Sequence, residues 1–211
     1  MDLGSDNIIV YLIRHGQTQL NRGGERFRGS VDVDLDATGW RQANTLKKLF
    51  SNQDFSYVFT SDKKRAMDTA DKIMEGREPH PVPVDGLRAL DVGDLSGQVK
   101  TDQTREIISY HFNNPEIPIP GGESFDQFKA RVNPLLVEAI EIGINSPNPV
   151  MLVVHSSIIH EAGTLLGGHH EYCLVDPGGV AAIYLKDGKL DAEAIYLPKT
   201  TGSSDRPTAI T

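Results

Sequence analysis

Cysteine is almost missing from this sequence: Cys173 is the single one in 211 residues. No internal disulfide can form, so the fold needs no oxidising compartment. Long apolar runs are missing too, and none approaches the ~20 residues that span a bilayer. The opening MDLGSDN is acidic and lacks the basic and then apolar pattern of a secretory leader. Positive charge is in deficit, with 21 Lys+Arg against 29 Asp+Glu and a formal net charge of -8. Sequence-independent binding to nucleic acid or to an anionic membrane needs cationic surface, so neither is expected as a partner. These absences point to a cytoplasmic globular protein. Its 38% hydrophobic residues are enough for one substantial core, and a single domain over 1–211 is expected.

What is present is alternation. Apolar, β-favouring runs occur at 8–13, 55–60, 80–87, 150–154, 180–185 and 192–197. Between them lie segments with helical spacing. DATGWRQANTLKKLFSN places Trp40, Leu46, Leu49 and Phe50 as core residues. SDKKRAMDTADKIMEG has Ser61 as an N-cap and Gly76 as the residue after the helix. ESFDQFKARVNPLLVEAIEIG is the longest, with Pro134 as a candidate kink, and SSIIHEAGTLLGG is the last. Strands apolar throughout and interleaved with helices predict an α/β fold: a three-layer α/β/α sandwich with a mainly parallel central sheet. KDGKL, between the last two runs, predicts a hairpin and therefore an antiparallel edge. The segment at about 97–122 reads as a cover over the site, and its Tyr110, His111 and Phe112 either contact a ligand or pack a helix face. The polar tail 198–211 reads as loose.

In such folds functional groups collect where parallel strands end. The first strand runs into Arg14 and His15, the second into Ser61 and a helix whose first turn holds Lys63, Lys64 and Arg65, and VMLVV into His155 and Ser156. Two histidines and two arginines thereby reach one rim of an otherwise anionic protein. That inventory suits a tetrahedral dianion such as phosphate: guanidinium forks match its oxygens, and helix N-termini supply N–H donors. The plain alternative for Lys63–Arg65 is a solvated first turn, although lysines there oppose the helix dipole. His160, His169 and His170 fit no zinc spacing, so no metal site is expected.

VYLIRHGQTQLN, SDKKRAMDTA and VVHSSII, in this order and spacing, resemble the signature blocks of the histidine phosphatase superfamily, also called phosphoglycerate-mutase-like. RFRGSVDVDLDATGWRQA and PGGESFDQFKAR fall where related sequences have comparable text, so the resemblance covers roughly 8–186. It implies that His15 is the nucleophile, attacking phosphorus to give a phosphohistidine that water then hydrolyses. It also implies that Arg14, Arg65 and His155 surround the phosphoryl oxygens, with Thr18, Asn21 and Ser156 as further phosphate ligands and no metal or other cofactor. Thr18 and Asn21 have a simpler reading as loop-shaping residues.

Ser156 replaces the glycine usual after the second histidine, and its backbone N–H can still face phosphate; a second departure bears on the mechanism. LRALDVGDLSGQ has Ala89 where many relatives carry the glutamate that protonates the leaving oxygen. Asp91 is the preferred replacement, with Asp94, Glu123 and Glu161 as others. Otherwise the leaving group needs little protonation, as in a phosphoanhydride, acyl phosphate or phosphoramidate. The function expected is therefore a metal-independent phosphatase acting on a phosphorylated small molecule or phosphoprotein. The alternatives are a phosphate-binding regulatory module with little turnover and a phosphoglycerate-mutase-type phosphotransferase.

Overall fold

The computed structural model describes residues 7–21, 26–27, 29, 31–167 and 175–198. Six strands form one sheet: β1 (Asn7–Arg14), β2 (Tyr57–Ser61), β3 (Val82–Val84), β4 (Val150–Val154), β5 (Val180–Lys186) and β6 (Lys189–Tyr196). Their order across the sheet is β3-β2-β4-β1-β5-β6. β3, β2, β4 and β1 run parallel, while β5 pairs antiparallel with β1 and β6 antiparallel with β5. The β5–β6 turn is Asp187-Gly188, both with positive φ, as a tight hairpin needs.

Among the described residues there are five α-helices: α1 (Ala37–Leu49), α2 (Lys64–Met74), α3 (Asp102–Asn113), α4 (Phe125–Asn145) and α5 (Ser156–Leu165); α1, α2, α4 and α5 pack on the sheet, and Ile108 of α3 packs with Val92, Leu95 and Ile119. Side-chain alternation along the strands divides the core in two. Val10, Leu12, Leu152, Val154 and Ile183 pack with α4 and α5, whereas Tyr11, Ile13, Met151 and Val153 pack with α1 and α2. β4 is buried along its whole length because it is central and covered on both faces. This is the expected three-layer architecture, parallel at its centre with an antiparallel edge. No described helix is long and apolar enough to cross a membrane.

Local chemistry places the helix starts. Asp36 caps α1 by accepting from Thr38 N at 2.8 Å and Gly39 N at 2.9 Å. Ser124–Gln127 and Thr101–Thr104 form capping boxes on α4 and α3. Three sequence expectations need correction, on Ser61, on the run 80–87 and on Trp40. Ser61 is the last residue of β2, and Lys63 is the α2 N-cap, without a side-chain cap bond. The run 80–87 is a strand only at 82–84, because Asp85–Leu87 turns into a short 3-10 helix. α4 passes through Pro134 as one helix of 21 residues. Trp40 is 43% exposed and not core, since α1 buries Gly39, Ala43 and Leu46 instead. His169, His170, Cys173 and most of the tail lie outside the described residues.

Candidate active site

Three neighbouring parallel strands, β2, β4 and β1, end together. Thr60 pairs with Val153 and Arg14 with Val154, so Ser61, His155 and His15 arrive at the same edge of the sheet. The His15 and His155 rings meet edge to face with centroids 5.2 Å apart. Arg65, in the first turn of α2, brings its Nη2 to 3.4 Å from His155 Nδ1, and its Nη1 donates to the Val31 carbonyl at 2.8 Å. Arg65 is 1% exposed, His15 1% and His155 2%. A guanidinium so enclosed is stable only where its donors meet acceptors.

His15 Nδ1 lies 2.7 Å from the Gly16 carbonyl oxygen. A carbonyl can only accept, so Nδ1 carries the proton and the neutral ring presents its lone pair at Nε2. The loop behind this ring is packed backbone against backbone. A Cβ on Gly16 would stand 2.7 Å from the Gly39 carbonyl oxygen, so only glycine lets α1 approach. Gly16 N donates to Thr69 Oγ1 at 3.0 Å, and Thr69 Oγ1 donates to the Arg65 carbonyl at 2.7 Å, joining the His15 loop to α2.

The two rings and Arg65 wall a cavity of about 160 Å³. Ser156 and Ser157, at the N-terminus of α5, are also on its wall. The first N–H groups of a helix have no intrahelical acceptor, which favours an anion at this end. Arg26, Phe27 and Lys100 line the cavity as well. Arg26 pairs with Val99 as an antiparallel bridge and its Nη1 donates to the Gly97 carbonyl at 2.8 Å. The Lys100 ammonium sits 5.5 Å from the Phe27 ring centre. Among the described residues the wall carries Arg26, Arg65, Lys100 and two histidines, and no carboxylate. An anion is the ligand that such a wall can hold.

The remaining expected site residues are placed differently. Arg14 donates from Nη1 to the Val175 carbonyl at 2.7 Å and is not on the cavity wall. Thr18 donates its hydroxyl to Asn21 Oδ1 at 3.0 Å and its N–H to the same oxygen at 2.9 Å, so these two brace their own loop. Asp91 is not brought to the cavity. Its Oδ1 accepts from Gly93 N at 3.0 Å, and it faces a neighbouring cleft lined also by Lys63, Arg88, Glu123 and Arg131. Glu123 accepts from Asp91 N at 2.8 Å and from Arg131 Nη2 at 2.6 Å in that same cleft. Asp94 and Glu161 are not on the His15 wall, whereas Ala89 is. Lys64 turns outward to Asp68 at 2.8 Å and Asp34 at 3.4 Å, as a solvated first turn would. From the cover segment Lys100 and Ile108 reach the wall. Tyr110 and Phe112 are exposed there, and His111 accepts or donates only locally, with Nδ1 3.1 Å from the Ile117 carbonyl.

Sequence reasoning missed Arg26 and Lys100 as wall residues. Both are cations beside glycine-containing segments, which is a weak signal until the Arg26–Val99 bridge joins them.

The family model for the histidine phosphatase superfamily (branch 1) matches residues 10–187. The chain belongs to the histidine phosphatase superfamily. A 2,3-bisphosphoglycerate-dependent phosphoglycerate mutase from Rhizobium etli is 30% identical over 160 residues, 71% of this chain and 76% of that protein. A glucosyl-3-phosphoglycerate phosphatase from Mycobacterium tuberculosis is 33% identical over 161 residues, 71% of each chain. The crystal structure of a phosphoglycerate mutase from Bacillus anthracis superposes with a TM-score of 0.75 at 22% identity, covering 90% of this chain and 93% of that one. That likeness shows the shared fold. A mutase and a phosphatase thus both stand among the relatives of this superfamily member.

Proposed function

We propose that this protein is a phosphatase that hydrolyses a phosphorylated small molecule or phosphoprotein through a phosphohistidine at His15, without a metal. The observation that carries the proposal is the Nδ1–Gly16 hydrogen bond, which leaves the Nε2 lone pair of His15 as the nucleophile beside a cavity rich in cations. Nε2 attacks phosphorus, the new N–P bond forms as the P–O bond to the leaving group breaks, and the leaving oxygen takes up a proton from water. A second water then attacks phosphorus, the N–P bond breaks, and phosphate and a free ring are restored. Arg65 and His155 offset the charge that spreads over the phosphoryl oxygens during both steps.

Ala89 distinguishes between leaving groups. An alkoxide needs protonation as it departs, and loss of a general acid typically costs roughly 10²–10⁴-fold. Ala89 on this wall supports a substrate whose leaving group departs readily, such as a phosphoanhydride, acyl phosphate or phosphoramidate. A mutase must protonate and deprotonate hydroxyls in both directions, so that activity fits this wall less well. The test is turnover of p-nitrophenyl phosphate, whose phenolate leaves without help. Hydrolysis is expected in the natural chain, with an acid-labile phosphoenzyme, and both should vanish in His15→Ala. Tight phosphate binding without turnover on any ester or anhydride would instead identify a regulatory module, and activity dependent on 2,3-bisphosphoglycerate a mutase.

A further inference from the structure

Ser61 is wholly buried at the end of β2, one strand away from His155, and its Oγ lies 2.9 Å from His155 Nε2. The other nitrogen of that ring, Nδ1, faces Arg65 Nη2 at 3.4 Å. Guanidinium groups donate and do not accept. Nδ1 must therefore be the accepting nitrogen of the neutral ring, and Nε2 must carry the proton and donate it to Ser61 Oγ. Ser61 Oγ also accepts from Lys63 N at 3.4 Å. Both hydroxyl lone pairs are thus used as acceptors, which is the arrangement a hydroxyl needs to hold an imidazole N–H rather than donate to it.

We propose that Ser61 is a positioning residue that fixes His155 as the Nε2–H tautomer and so keeps Nδ1 as the atom that meets the phosphoryl group. The inference rests on the reading of the cavity as a phosphoryl site. Because Ser61 can accept from Nε2–H whether or not Nδ1 is protonated, the ring can take up a proton at Nδ1 when a dianion arrives, without turning. The cations Arg65, Arg26 and Lys100 on the same wall oppose that protonation in the empty cavity, and a bound dianion reverses the balance. A ring free to turn would aim Nδ1 away from the phosphoryl oxygens in part of the population, and a ring without an acceptor for Nε2–H would lose the doubly protonated form that donates to them. Partners that fix a ring tautomer are worth about 10- to 100-fold in metal sites, and a loss of that order in kcat is expected here.

The experiment is long-range proton–nitrogen NMR on histidine-labelled protein, with the His155 signals assigned by their loss in His155→Gln. The natural chain is expected to show His155 protonated at Nε2, and saturating inorganic phosphate to protonate Nδ1 while Nε2–H persists. Ser61→Cys, nearly isosteric but a weak acceptor, should populate the other tautomer and lower kcat with a smaller change in KM. Ser61→Thr, which keeps the hydroxyl, should retain the natural tautomer and most of the rate. A proton found on Nδ1 of the empty natural chain would overturn the inference, as would an unchanged tautomer and kcat in Ser61→Cys. The tautomer reading needs no turnover, so it is decided separately from the phosphohistidine mechanism, which stands or falls with His15→Ala.

Discussion

At the scale of single residues, Arg65 shows how a buried cation becomes a tool. Its Nη1 is held by the Val31 carbonyl while Nη2 reaches the His155 ring, so the plane of the guanidinium is set before any ligand binds. A lysine keeps the charge and loses the fork. Arg65→Lys is expected to lower kcat by about 10²–10³-fold, the usual loss when a donor to a developing oxyanion is removed. Unchanged far-ultraviolet circular dichroism would confirm that the fold is kept. Ala89 is the opposite case, a wall position without chemistry. Ala89→Glu should raise the rate on an alkyl phosphate relative to p-nitrophenyl phosphate by at least ~10-fold, because only the poor leaving group gains from an acid. Equal changes on both substrates would show that protonation does not limit turnover.

At the scale of elements, the hydrogen bonds of Arg131 tie the wall that carries Ala89 to α4. Arg131 donates from Nη1 to the carbonyls of Gly86 and Arg88 at 2.8 and 2.9 Å, and from Nη2 to that of Ala89 at 2.9 Å. Glu123 holds the same guanidinium through Nε at 2.9 Å and Nη2 at 2.6 Å. From the other side Arg88 pairs with Asp62, whose carboxyl this guanidinium holds below its ordinary range. Arg131→Ala leaves three carbonyls and a carboxylate without this donor, and a charged hydrogen bond contributes a net ~1.5–3 kcal/mol where water cannot replace it, less where it can. A loss of about 2–3 kcal/mol in urea unfolding is expected, with a rise in KM as the wall loosens. Gly16→Ala acts on a different junction. Its Cβ would strike the Gly39 carbonyl, and overpacking of this kind costs about 1–3 kcal/mol. Because Gly16 also holds the His15 ring, its kcat should fall further than the loss of stability alone predicts.

At the scale of the whole molecule, charge is divided. The chain is acidic overall, yet the described wall of the cavity carries Arg26, Arg65 and Lys100, and many of the acidic residues are exposed. Some of these join helices: Glu75 pairs with Lys72 at 2.7 Å and with Lys47 of α1 at 2.9 Å, which together pull its carboxyl from 4.5 down to about 2. A folded-state pKa below the unfolded value means stability that is present above pH ~4.5 and is lost as pH falls toward 2. The pair is solvent-exposed, so the contribution is small and screened by salt. Thermal melts of Glu75→Gln should therefore lie slightly below those of the natural chain at pH 6 and low salt. The difference should close by pH 2; a gap that persists there would assign it to packing instead.

The strands, the long helices and the meeting of His15, Arg65 and His155 at one edge of the sheet were legible in the linear sequence because each depends on where a strand ends. Alternating burial, capping residues and short spacings are written within a few positions of one another. The three-layer order followed from the same alternation. What only the tertiary structure decided are the relations between distant segments. Asp91 and Glu123 turn into a neighbouring cleft, Thr18 and Asn21 satisfy each other, and Arg26 meets Lys100's segment across a bridge of two loops. Ser61 illustrates the difference most sharply. Its neighbours in sequence make it a helix cap, while its neighbour across the parallel ladder, 94 residues away, makes it a partner of His155. A side chain's hydrogen bond is settled by which groups come within about 3 Å, and in a parallel sheet those groups arrive from segments that share no local pattern.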